Sequence, residues 1–90
     1  MKALIVDAVR TPRGKARPDG GLARETPHGL VAALVQAIED RGAAPRDVDQ
    51  LILGSVGQVG AQGGHIGMVA KFAAGLPDRT VVHTINNFCA

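Results

Sequence analysis

Residues 26–56 read TPHGLVAALVQAIEDRGAAPRDVDQLILGSV. Thr26 is a good helix N-cap, and Pro27 suits the first helical position. Leu30, Val31, Leu34, Val35 and Ile38 then recur at spacings of three and four, which predicts a helix over 27–41 with one apolar face. Gly42 is placed to end it. Pro45 and Asp47 suit a connecting turn. Leu51-Ile52-Leu53 then opens a short apolar strand running to about Val56. A helix that feeds through a brief turn into a wholly apolar strand is one half of a crossover unit in an α/β fold.

The flanking segments extend the pattern. Residues 3–9, Ala-Leu-Ile-Val-Asp-Ala-Val, form a nearly unbroken apolar run and predict a strand buried on both faces. Thr11 and Pro12 end it, and residues 13–25 read as a loop rich in glycine, proline and charge. On the other side, a glycine-rich stretch from Gly54 to Gly67 overlaps a helix of small residues expected over 65–74, with Ile66, Val69, Ala70 and Ala73 inward. Gly75 and Pro77 close that helix. Residues 80–85 are β-branched except at His83 and predict a third strand. Asn86, Asn87 and Phe88 then turn the chain to Cys89. The order strand, helix, strand, helix, strand implies α/β architecture with parallel strands and right-handed crossovers. Residues just past the carboxyl ends of such strands form the usual ligand crevice, and Cys89 falls there.

The unit reads as part of something larger. Burying the five apolar residues of the first helix offsets less than the entropy of ordering its backbone. Three strands with two crossovers leave both sheet edges open and one face bare. The chain has 90 residues, no Trp or Tyr and two Phe, so it has few large side chains with which to build a core.

Composition excludes several classes. An apolar fraction of 46% with a formal net charge of +2 is not that of a disordered chain. A single cysteine excludes an internal disulfide framework. Charge or glycine interrupts every apolar run, so no membrane span is expected. Residues after Met1 lack the apolar core of a signal peptide, which leaves the cytoplasm as the expected compartment. Basic residues gather early, at Arg10, Arg13, Lys15, Arg17 and Arg24. Such a loop fits either phosphate or a solvated surface. No aromatics are interleaved with the charges, so no nucleic-acid partner is expected.

The glycines at 54, 57, 60 and 63 make neither a collagen repeat nor a dinucleotide or phosphate-loop fingerprint. Their plain role is tight turns and close backbone approach. His28, His65 and His83 are scattered, and with Cys89 they do not form a zinc pattern. No metal site and no permanently bound cofactor is expected. Cys89 remains as the candidate catalytic residue. A free cysteine is commonly a small buried hydrophobe. A thiol placed beyond a strand, where a helix could follow, is the alternative: the helix terminus would stabilise its thiolate and suit it to act as a nucleophile.

Four segments in order resemble thiolases. Arg10-Thr11-Pro12-Arg13-Gly14-Lys15 with Gly21-Leu22 is similar to the family's opening, and Gly54-Ser55-Val56-Gly57-Gln58-Val59-Gly60 to its glycine and glutamine loop. Ala74-Gly75-Leu76-Pro77 resembles its A-G-L-P turn. Asn86-Asn87-Phe88-Cys89-Ala90 resembles the first five positions of the nucleophile motif N-x-x-C-x-S-G. Asn87 stands where many members have arginine, and Met68 where a basic residue is frequent.

The resemblance implies that residues 1–90 are the N-terminal part of a thiolase N-terminal domain. It implies acyl transfer between coenzyme A thioesters, with Cys89 accepting the acyl group. The reaction would be thiolysis of a 3-ketoacyl-CoA or the reverse condensation. Substrate-binding residues stay unassigned. The family's catalytic histidines and second cysteine come from later positions, so the isolated chain is expected to be inactive. The expected partners are acyl-CoA or CoA, the remainder of a thiolase chain or a companion chain, and further copies in a homo-oligomer. The alternatives are a ketoacyl-synthase-like condensing enzyme and a non-catalytic remnant serving assembly.

Overall fold

The computed structural model describes residues 1–89. Helix α1 spans Pro27–Asp40, strand β1 Gln50–Gly54, helix α2 Ile66–Ala74 and strand β2 Val81–Ile85. Short 3₁₀ turns at Pro45–Asp47 and Gly60–Gln62 lead into β1 and α2. The two strands pair in parallel, with Leu51 opposite Val82 and Leu53 opposite Thr84. This is the expected α/β class with parallel strands.

Local chemistry sets the helix ends. Thr26 Oγ1 accepts from the Gly29 backbone N–H at 3.1 Å, and Pro27 occupies the first turn. Past α1 the chain reverses at Gly42, whose φ is 97°. Gly75 ends α2 in the left-handed conformation, at φ 68°. No helix among the described residues is long and apolar enough to cross a membrane.

The core is small and lies where α2 meets the sheet. Ile66, Ala70, Leu76 and Val82 are its buried apolar members. Gly67 permits the close approach. A Cβ there would come within 2.7 Å of both Val82 Cγ1 and Thr84 Oγ1. The inward stripe of α2 is therefore Ile66, Gly67, Ala70 and Lys71. That corrects the expected face, because Val69 and Ala73 are exposed. The helix has rotated to bring its glycine, its smallest residue, onto the sheet.

The amino-terminal ends of the strands are cross-tied. Thr80 Oγ1 donates to Val48 O at 3.1 Å, and Lys71 Nζ donates to Asp78 O and Thr80 O, each at 2.8 Å. Arg79 donates to Arg46 O at 3.0 Å and pairs with Asp49 at 3.3 Å, and Arg46 in turn donates to Gly75 O. The other sheet face is bare. Ile52, Val81 and Ile85 project from it and are about half exposed.

Residues 3–9 differ from expectation. They form no strand, and the sheet among the described residues has two strands. Leu4, Ile5, Val6 and Asp7 line an opening of about 500 Å³ shared with Ile38, Ala44, Pro45 and Val48. Thr11 lines another with Leu30, Leu53 and Ser55. The segment thus runs alongside β1 in the same direction with space between them. A side-chain contact ties it to α1. Arg41, at the end of α1, donates to both carboxylate oxygens of Asp7, at 2.8 and 3.1 Å. A strand needs a neighbouring backbone within ladder distance. Contacts to a helix end do not supply one.

Candidate functional site

Because β1 and β2 are parallel, the loops that leave them emerge at the same end of the sheet. Residues 55–64 follow β1, and residues 86–89 follow β2. Backbone pairing continues one step past the strands, with Ser55 N–H donating to Ile85 O at 3.0 Å. The two connections are then joined by a side chain. Asn86 Nδ2 donates to Val56 O at 2.9 Å, and Asn86 Oδ1 accepts from the Phe88 N–H at 3.0 Å. Phe88 has φ 49°, in the left-handed region that a bulky residue rarely adopts. Cys89 follows directly. It is a free thiol exposed to solvent, four residues beyond the end of β2.

The loop after β1 is braced from within. Gln62 Nε2 donates to Gly57 O at 2.8 Å and approaches Ser55 Oγ at 3.4 Å. Ser55 Oγ in turn lies 3.4 Å from Gly57 O. Polar contacts therefore run from the 3₁₀ turn before α2, through the glycine loop, to the turn that carries Cys89. Glycine at 60 and 64 is required by the backbone, with φ of 57° and 62°.

The structure does not gather the three histidines around the cysteine. His65 precedes α2, and its Nδ1 lies 2.6 Å from Thr84 Oγ1, which also accepts from the Gly67 N–H at 2.8 Å. That is a joint between α2 and β2. His83 projects from the bare sheet face opposite Ile52, and His28 lies in the first turn of α1. Among the described residues no three His, Cys, Asp or Glu side chains converge as a metal site. The basic loop encloses a shallow opening lined by Gly14, Lys15, Arg17, Pro18 and Leu22, and none of residues 86–89 lines it. Arg17 there is paired with Asp19 at 3.4 Å.

Asn86, Gln62 and Lys71 acquire roles that the sequence reading did not assign. Beyond its place at the head of the N-x-x-C motif, Asn86 had one readable signal of this role. An Asn just past a strand, two residues before a residue that must turn, is a frequent side-chain-to-backbone turn former. Gln62 and Lys71 had none, since their partners are backbone carbonyls 5 to 9 residues away.

Comparison with known proteins covers nearly the whole chain. The family described as thiolase, N-terminal domain, matches residues 3–90. A 3-ketoacyl-CoA thiolase of Chromohalobacter salexigens is 36% identical over 88 residues, covering 96% of this chain and 22% of that protein. A beta-ketoadipyl-CoA thiolase of Acinetobacter baylyi is 36% identical over 89 residues, covering 97% and 22%. A peroxisomal 3-ketoacyl-CoA thiolase of Arabidopsis thaliana is 35% identical over 88 residues, covering 97% and 19%. This chain spans about a fifth of the length of these relatives. A match across residues 3–90, on an α/β unit with a parallel sheet, leads to one conclusion: the chain belongs to the thiolase family, in its N-terminal domain.

Proposed function

We propose that this chain is the N-terminal part of a thiolase-type acyl-CoA acyltransferase in which Cys89 is the nucleophile. The observation that carries the reading is the position of Cys89. It is an exposed thiol on the turn past β2, at the carboxyl end of the parallel sheet, in a chain of the thiolase family.

The chemistry is covalent catalysis in two halves. The Cys89 thiolate adds to the thioester carbonyl of an acyl-CoA. The tetrahedral adduct collapses with loss of the CoA thiolate, leaving an acyl-cysteine. In condensation the acyl group then passes to the carbanion of a second acyl-CoA. In thiolysis the thiolate adds instead to the 3-keto carbonyl of a 3-ketoacyl-CoA, the C2–C3 bond breaks, and the acetyl-CoA carbanion departs and is protonated. The acyl group left on Cys89 passes to the thiol of a free CoA. The proton transfers need groups from outside these residues, because no histidine hydrogen-bonds Cys89 among the described residues. The isolated chain is accordingly inactive in this reading. The active form combines it with the remainder of a thiolase chain, in a homo-oligomer and in the cytoplasm. The relatives' names point to 3-ketoacyl-CoA thioesters as the substrate class.

The test is peptide mass spectrometry after incubating the full-length protein with acetyl-CoA. The acetyl group is expected on Cys89, and Cys89→Ser is expected to abolish rapid transfer. An acetyl group mapped to another residue, or transfer retained in Cys89→Ser, would rule Cys89 out.

A further inference from the structure

We infer that Asn86 is a positioning residue for acyl transfer: its carboxamide latches the turn carrying Cys89 to the loop that follows β1. The inference rests on Cys89 being the nucleophile.

Both ends of the carboxamide are used, in different directions. Nδ2 donates to Val56 O at 2.9 Å, across the seam between the two strand exits. Oδ1 accepts from the Phe88 N–H at 3.0 Å, within the turn itself. The first bond fixes where the turn lies relative to the sheet. The second fixes how it bends: the ring it closes spans Asn87 and ends at the N–H of Phe88, the residue whose φ is 49°. A non-glycine residue stays in that region only where its surroundings over-determine it. Cys89 is the next residue, so the direction of its Cα–Cβ bond follows from these torsions. The seam is itself stiffened by the Ser55 N–H to Ile85 O bond and by Gln62 bonding Gly57 O. Asn86 thereby transmits the rigidity of the sheet and of the glycine loop to a thiol that is otherwise exposed.

The latch needs a donor and an acceptor at the same reach, which a carboxamide has. A carboxylate keeps the acceptor for Phe88 but turns an anionic oxygen toward Val56 O. A protonated carboxylic acid has a donor again. Asn86→Asp therefore gives a signature that a general loss of folding does not.

The experiment compares wild type, Asn86→Asp, Asn86→Ala and Cys89→Ser in the full-length protein. It measures single-turnover acetylation of Cys89 by acetyl-CoA, kcat and KM for thiolysis of acetoacetyl-CoA, and thermal melting. At neutral pH, Asn86→Asp and Asn86→Ala should lose about a hundredfold in acetylation rate and kcat, the scale of a misplaced reacting group, with KM nearly unchanged. As pH falls, the ratio of Asn86→Asp to wild type should climb, by up to about tenfold per unit, as the carboxyl protonates. The ratio for Asn86→Ala should stay flat. A wild-type acetylation rate in Asn86→Asp, or a ratio that does not move with pH, would overturn the latch. So would failure of both Asn86 variants to fold, which would make Asn86 a folding residue. Transfer surviving in Cys89→Ser sinks the nucleophile reading instead. Transfer lost in Cys89→Ser but intact in Asn86→Asp sinks only the latch.

Discussion

Lys71 shows how one side chain can carry a joint of this fold. It lies in the last turn of α2, is 6% exposed, and donates to Asp78 O and Thr80 O. Among the described residues no carboxylate pairs with it. Two carbonyls and the negative end of the helix dipole compensate its charge instead. The ammonium thus ties the end of α2 to the start of β2, across the Gly75-Leu76-Pro77 turn. Lys71→Met keeps the stem and removes the donors, leaving two carbonyls short of a partner. That should cost roughly 1–3 kcal/mol in the full-length protein, read as a lower urea midpoint at unchanged slope. An unchanged midpoint would show that water replaces the ammonium without loss. None of this was legible in the sequence, where Lys71 is a charge in an apolar helix. Cys89 was legible, because the thiol and its offset from a strand are both local properties.

At the scale of elements, an ion pair ties residues 3–9 to the end of α1. Arg41 binds the Asp7 carboxylate and holds its pKa below the ordinary carboxylate value, first through the hydrogen bonds and then through its charge. The Ala8 N–H adds a further hydrogen bond to Asp7 Oδ1 at 2.8 Å. A depressed folded-state pKa means that the contribution is fully present above the unfolded value of about 4. It is lost as pH falls through the lower, folded value. Acidification below pH about 4 should therefore free residues 3–9 from α1. The measurement is hydrogen–deuterium exchange and peptide fluorescence of a label at Ala3, with Asp7→Asn releasing the segment at every pH. A segment that stays docked in Asp7→Asn would show that its apolar side chains, not the ion pair, hold it. The helices needed no such partner to be read. Thr26, Pro27, Gly42 and Gly75 mark their ends through bonds and torsions within the same few residues.

At the scale of the molecule, much apolar surface is left uncovered. Phe72 is 67% exposed and Phe88 73%, and Ile52, Val81 and Ile85 share the bare face of the sheet. Among the described residues both edges of the two-stranded sheet are also open, and such edges template pairing with another chain. The 90-residue chain alone should therefore self-associate as concentration rises, in sedimentation velocity. A monodisperse monomer that unfolds in one sharp transition would contradict this. The sequence by itself determined α1, α2, both paired strands to within two residues, their parallel class and the place of Cys89. Those features depend on periodicity, on caps and on order along the chain. Only the tertiary structure decided the face that α2 turns inward, the burial of Lys71, the Asn86 contact with Val56, and the fate of residues 3–9. A helix satisfies its backbone within itself, so its residues announce it. A strand satisfies its backbone against a neighbour, and whether an apolar run becomes one depends on which backbone lies within about 5 Å of it.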